Sequence, residues 1–129
     1  MGSKWSSKLI TGFNEVDEHH FTIIKKLFEI EQLIDKKPSK SEIMDALLFL
    51  ESYTQMHFKH EESVMADENC PVAEENKRQH EAFINKVHTF NQTFAQDDTM
   101  DVDLKDVAKE LSDWVINHIM EVDLQLKNN

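Results

Sequence analysis

The sequence predicts an all-α fold, an up-down-up-down four-helix bundle. Apolar residues recur at three- and four-residue steps in four separate stretches. Glycine and proline number two each in 129 residues, too few for the tight turns of an all-β chain. The periodic stretches are each about twenty residues long with short polar connections, the pattern of an antiparallel bundle. A chain of this length buries roughly two-thirds of its unfolded surface, enough for one core. Residues 1–129 therefore read as a single domain.

Residues 1–16 hold Trp5, Leu9, Ile10 and Phe13 without helical spacing, and read as an N-terminal arm packed along the bundle. The first helix covers about 17–36, with His20, Ile23, Leu27, Ile30 and Ile34 on one face. Asp17 is its expected N-cap. Pro38 ends it by disfavouring helical backbone at Lys37. The second helix covers about 41–67, capped by Ser41 or Ser39, with a stripe of Ile43, Leu47, Leu50, Thr54, His57, Glu61 and Met65. Asn69-Cys70-Pro71 breaks it. The third covers about 72–94, with Asn76, His80, Phe83, Ile84, Val87, Phe90 and Phe94 facing one way. After the polar loop Gln96-Asp97-Asp98-Thr99, the fourth covers about 103–126. Leu104, Val107, Ala108, Leu111, Val115, His118, Ile119, Val122 and Leu126 line its inner face.

Charge narrows the partners. Lys+Arg is 14 against 25 Asp+Glu, a formal net charge of −11. Such a chain is repelled by the phosphates of nucleic acid and by anionic membrane surfaces, whereas it is consistent with cation binding. The single cysteine, Cys70, allows no internal disulfide and fits a reducing compartment. No apolar run approaches a membrane span or a signal-peptide core. The expectation is a soluble cytoplasmic protein with no nucleic-acid or membrane partner.

The chemistry lies in polar residues that interrupt the apolar stripes. His20, His57, His80 and His118 fall one to each helix, all on faces that should be core. Glu61 follows His57 by one turn and so points the same way. Asp123, five residues after His118, is rotated further round, but near a helix end it can still aim inward. One inward histidine alone is an ordinary hydrogen-bonded core residue. A buried carboxylate is different, because an unpaired buried charge costs several kcal/mol. Four histidines and two carboxylates converging from four helices need a compensating cation, and one or two metal ions supply it. Imidazole with carboxylate suits iron, zinc or manganese. Rival motifs fail: the chain has no Glu-x-x-His, no His-Glu-x-x-His, no second cysteine and no Gly-rich phosphate loop.

Four stretches together resemble the hemerythrin family, its bacterial members in particular. They are Val16-Asp17-Glu18-His19-His20, Tyr53 to Met65, His80-Glu81-Ala82-Phe83, and Trp114 to Asp123. The resemblance runs from about Trp5 to Leu126. His-Phe-x-x-Glu-Glu-x-x-Met and Trp-x-x-x-His-Ile-x-x-x-Asp are its most specific strings. It implies a non-heme di-iron centre that binds or senses O2 and takes small anions such as azide. By position, His20 and His57 hold one iron and His80 and His118 the other. Glu61 and Asp123 bridge the two, with an oxo or hydroxo group. Trp114, Val115 and Ile119 then form walls of the dioxygen pocket, although an apolar stripe is core under any reading.

One position departs from the family pattern. The third helix normally supplies His-x-x-x-His, and here the string reads Asn76-Lys77-Arg78-Gln79-His80. Asn76, with a shorter side chain than histidine, is expected not to reach the metal, leaving its ligand position vacant for water or an anion. His19 and His88 are expected to be solvated, and His60 to lie at or near the surface.

The resemblance leaves three functions in competition. A sensor would pass the state of the di-iron site to an output domain, such as a diguanylate cyclase. The chain ends at Lys127-Asn128-Asn129, directly after the fourth helix, where such a domain would attach. The alternatives are a stand-alone O2 carrier or store, and a di-iron enzyme reducing peroxide or nitric oxide. The enzyme ranks last, since no positioned proton donor or substrate pocket is visible in the sequence. The missing imidazole favours a sensor, because a reversible store needs a slowly oxidised site.

Overall fold

In the computed structural model, which describes residues 7–96 and 103–128, all regular structure among those residues is helical. A 3-10 turn at Ser7–Leu9 precedes α1 (Asn14–Ile34), α2 (Lys40–Asp67), α3 (Ala73–Gln96) and α4 (Leu104–Glu121), and a second 3-10 turn covers Asp123–Asn128. The four helices form the expected bundle. α1 packs against α2 and α4, and α2 against α3. α3 and α4 meet through long side chains, including Phe83 and Trp114 with ring centroids 4.4 Å apart and the ion pair of Lys86 with Glu110.

Local chemistry sets the helix ends. α1 begins earlier than the spacing predicted, with Phe13 rather than Asp17 at the N-cap. Asp17 sits in the first turn and gathers the chain before it. Its carboxylate accepts from the Thr11 N–H and hydroxyl, both at 2.8 Å, and from the Gly12 N–H at 3.1 Å. Gly12 has φ +93°, which a side chain would strain. The arm expected over 1–16 therefore ends at Phe13, and Trp5 lies outside the described residues. So do Asp97, Asp98 and Thr99.

Ser39, one of the two expected caps, starts α2 with a capping box. Its hydroxyl accepts from the Glu42 N–H at 3.1 Å, and the Glu42 carboxylate accepts from the Ser39 N–H at 3.0 Å. α2 closes with paired bonds from Cys70 N–H to Met65 O (2.9 Å) and from Asn69 N–H to Ala66 O (3.1 Å), with Asn69 left-handed at φ +53°. Asp103 caps α4 by accepting from the Lys105 and Asp106 N–H groups.

The apolar side chains separate into two clusters. The larger joins Ile23, Leu27 and Ile30 of α1 to Ile43, Leu47 and Leu50 of α2, Phe83, Val87 and Phe94 of α3, and Leu111, Val115 and Ile119 of α4. Each such side chain contributes about 1.5–3 kcal/mol when fully buried. The smaller joins Met65, Cys70, Val122 and Leu126, with Phe13 and Val72 against them. The histidines and the two carboxylates that interrupt the stripes fall between these clusters, so this buried layer has apolar packing on both sides.

Candidate metal centre

His20, His57, Glu61, His80, His118 and Asp123 are all buried in that layer. They form two overlapping groups, one of His20, His57, Glu61 and Asp123, the other of Glu61, His80, His118 and Asp123. Within each group, one ligand atom per residue lies within 4.8 Å of all the others. The carboxylates belong to both groups and divide their oxygens between them. Glu61 Oε2 is 3.2 Å from His20 Nε2 and 3.7 Å from His57 Nε2, while Oε1 is 3.1 Å from His80 Nε2. Asp123 Oδ2 is 2.9 Å from His20 Nε2, and Oδ1 is 3.2 Å from His118 Nε2.

The end of α4 explains how Asp123 joins the group. Five residues on a continuous helix would turn Asp123 about 140° away from His118. Instead α4 stops at Glu121, Val122 N–H bonds to His118 O at 2.8 Å, and the backbone tightens into the 3-10 turn. This turn replaces the α-helix expected as far as residue 126 and brings Asp123 beneath His118.

Hydrogen bonds behind the rings orient the donors. Gln79 Nε2 donates to Glu75 Oε2 at 2.9 Å, so its oxygen faces the other way, 2.6 Å from His118 Nδ1. His118 thus carries a proton on Nδ1 and directs Nε2 inward. His80 Nδ1 donates to Glu62 Oε2 at 3.0 Å with the same result. His57 Nδ1 lies 3.0 Å from Nδ1 of His19. The ring of Phe58 stacks on His80 at 3.8 Å and that of Trp114 on His118 at 4.7 Å, each within 8° of parallel.

The consequence is a core in which electron pairs face one another. His80 Nε2 and His118 Nε2 are 3.1 Å apart, each with its ring proton on the far nitrogen. His20 Nδ1 and Asp123 Oδ1 are buried with no hydrogen-bond partner among the described residues. Without a cation the layer relies on protons. Burial pushes the His20 pKa down, but its contacts with Asp123 and Glu61 outweigh this and raise it to about 10. Burial pushes the Asp123 pKa upward, yet the neighbouring His118 and His20 rings hold it well below the usual carboxylate range. Burial, aided by His20, His19 and His80, keeps the His57 pKa well below the ordinary imidazole value against the pull of Glu61. One proton on His20 is a partial remedy. Inward imidazole and carboxylate donors in two groups with shared carboxylates fit a pair of cations, of the type iron, zinc or manganese.

One expectation needs correction, that of His19. Asn76 is fully buried beside the second group. Its Nδ2 donates to Glu61 Oε1 at 3.2 Å, and its Oδ1 is 2.8 Å from His118 Nε2. His19 is half-buried against His57 instead of solvated. His60 stays outside both groups, paired with Glu15 at 3.0 Å, and exposed His88 pairs with Glu51 at 2.9 Å. Val115 and Ile119 are in the larger apolar cluster. The sequence reading gave no role to Gln79, Glu62 or Phe58. Gln79 lies one turn after Asn76, a spacing that pointed toward the site, but an uncharged side chain beside Arg78 carries little signal.

Comparison with known proteins agrees with this geometry. The model of the hemerythrin HHE cation binding domain matches residues 11–128. A bacteriohemerythrin of Clostridium acetobutylicum is 30% identical over 129 residues, covering 92% of this chain and 94% of that protein. A bacteriohemerythrin of Stenotrophomonas maltophilia is 29% identical over 117 residues, covering 89% and 72%. The hemerythrin subunit alpha of Lingula anatina is 27% identical over 123 residues, covering 95% and 91%. With a matching domain over nearly its whole length and two histidine–carboxylate groups buried in a four-helix bundle, the chain belongs to the hemerythrin HHE cation-binding family.

Proposed function

We propose that the chain is a non-heme di-iron domain that binds O2 and reports oxygen or redox state in the cytoplasm. One observation carries the reading: Glu61 and Asp123 each turn one oxygen to each pair of histidines. On this reading His20 and His57 would hold one iron and His80 and His118 the other, with Glu61 and Asp123 contributing to both. Membership of the family and the bacteriohemerythrins among the relatives support iron and O2 in particular. Iron, when bound, supplies the electrons and the coordination position that O2 requires.

The chain's own residues prepare the site. Gln79 and Glu62 keep protons on the outer nitrogens of His118 and His80, so the inner nitrogens stay available. Phe58 and Trp114 cover those two rings. Trp114, Val115 and Ile119 serve as the apolar walls of the O2 pocket and limit the approach of water. A sensor is the preferred role because a neutral amide, Asn76, stands where the family supplies an imidazole, which suits a centre that changes oxidation state readily. Its output would be a domain such as a diguanylate cyclase in the same protein, which the length of the native gene product tests.

The deciding experiment measures iron content and the visible spectrum of the reduced protein before and after O2. Two irons per chain and rapid conversion to the oxidised spectrum are expected. An oxygenated spectrum stable for hours would replace the sensor by a carrier or store. Catalytic consumption of added peroxide or nitric oxide would favour the enzyme. One zinc and no iron would overturn the reading.

A further inference from the structure

We propose that Asn76 is a direct metal ligand, giving its amide oxygen to the ion held by His80 and His118. The inference rests on the two-ion reading above and replaces the vacant position expected from the sequence.

The orientation of the amide is determined by its neighbours. Nδ2 lies 3.2 Å from Glu61 Oε1, a carboxylate oxygen that can only accept. The reversed amide would set two acceptors against each other there, so Oδ1 is the atom 2.8 Å from His118 Nε2. The tautomer of His118 is determined in the same way. Glu75 accepts from Gln79 Nε2, Gln79 Oε1 accepts from His118 Nδ1, and the neutral ring carries an electron pair on Nε2. Asn76 Oδ1 and His118 Nε2 thus face each other at 2.8 Å with no proton between them. Two facing electron pairs repel each other, whereas a cation in contact with both atoms stabilises the arrangement.

The spacing fits one coordination shell. Two donors at right angles, each about 2.1 Å from an ion, lie about 3.0 Å apart. Asn76 Oδ1 to His118 Nε2 is 2.8 Å, His118 Nε2 to His80 Nε2 is 3.1 Å, His118 Nε2 to Asp123 Oδ1 is 3.2 Å and His80 Nε2 to Glu61 Oε1 is 3.1 Å. The amide oxygen belongs to this set by distance, burial and direction. Oxygen donors of this kind are ordinary ligands for divalent ions. Nδ2 has a separate task, holding the shared carboxylate of Glu61 in place. Asn76 therefore makes the two ions unequal. The His80/His118 ion has one protein donor more than the His20/His57 ion, and so one open position fewer.

The experiment counts metal and azide on the intact chain. Ferrous iron is titrated anaerobically into native protein, Asn76→Ala and Asn76→Asp, then oxidised and titrated with azide. Asn76→Ala should bind one more azide per chain than the native protein and hold its weaker iron at least about tenfold less tightly. Asn76→Asp keeps an oxygen at the same place but no N–H for Glu61, and should match the native azide count. Equal azide counts for native and Asn76→Ala would overturn direct ligation in favour of a solvent-filled position. An extra azide in Asn76→Asp would also overturn it, leaving the hydrogen bond to Glu61 as the residue's role. If Asn76→Ala does not fold, the native count decides: equal occupancy of both irons by azide overturns the proposal and occupancy of the His20/His57 iron alone supports it. Native protein that takes up fewer than two irons fails the two-ion reading itself, a different result from any of these.

Discussion

Buried polar groups occur at two levels of this bundle, and they are solved differently. In the larger apolar cluster, hydrogens meet acceptors. Thr54 donates to Leu50 O at 2.8 Å, Ser112 to Glu31 Oε1 at 3.0 Å, and Asn91 Nδ2 to Glu51 Oε1 at 2.8 Å. In the histidine–carboxylate layer, acceptors meet acceptors, as at His80 Nε2, His118 Nε2 and Asn76 Oδ1. The first arrangement pairs these donors within the protein and leaves only Asn91 Oδ1 without a hydrogen-bond partner among the described residues. The second is complete with cations. Polar burial by itself therefore does not mark a site; the pairing of lone pair with lone pair does.

The largest expected effect separates the two levels directly. Glu61 is shared by both groups, so Glu61→Ala should abolish binding of both ions, read by metal analysis after desalting. Leu50→Ala, at a fully buried position of the apolar cluster, should lower stability by about 2–5 kcal/mol with the metal content unchanged. Full metal content in Glu61→Ala, or loss of metal in folded Leu50→Ala, would break the comparison.

A smaller effect should come from behind the ligands. Gln79→Ala removes the acceptor that holds the proton on His118 Nδ1. Metal affinity is expected to fall about 10–100-fold, measured by competition with a chelator, while stability of the metal-free protein changes little. An unaltered affinity would remove Gln79 from the account.

The metal-free protein should also show a pH dependence that metal suppresses. The pKa of His20 is raised from 6.5 to about 10, so its stabilising contribution is complete below pH 6.5 and is lost as pH rises toward 10. The pKa of His57 is lowered, so below pH 6.5 the unfolded chain takes up a proton that the folded one refuses, and stability falls there too. Asp123, held low, adds a further loss as pH falls through its ordinary 3.8. Thermal melts of the metal-free chain should therefore peak near pH 6.5. With metal in place of the proton on His20, the alkaline decline should disappear. Parallel curves for the two forms would count against a metal layer.

The smallest effect lies farthest from the site. Ser39→Ala removes the α2 cap and should cost about 1 kcal/mol, seen in denaturant melts, with metal affinity unchanged. A change in affinity would mean that the two levels are coupled through α2.

The sequence by itself determined the four helices, their inward faces and the histidines that those faces carry. Those properties are local or periodic: a one-turn spacing brings His57 and Glu61 together, and three- and four-residue steps align His80 with Phe83 and Val87. The family resemblance added a pairing of ligands that periodicity alone did not contain. The tertiary structure decided how the donors meet. Asp123 reaches both histidine pairs because α4 breaks after Glu121, an event no helical wheel encodes. Asn76 enters the cluster because Glu61 and His118 come from two other helices and meet both ends of its amide. Gln79 and Glu62 matter through rings on α4 and α3 that their own helix positions do not reveal. Spacing fixes direction along one helix, whereas distances between atoms of different helices depend on how all four pack.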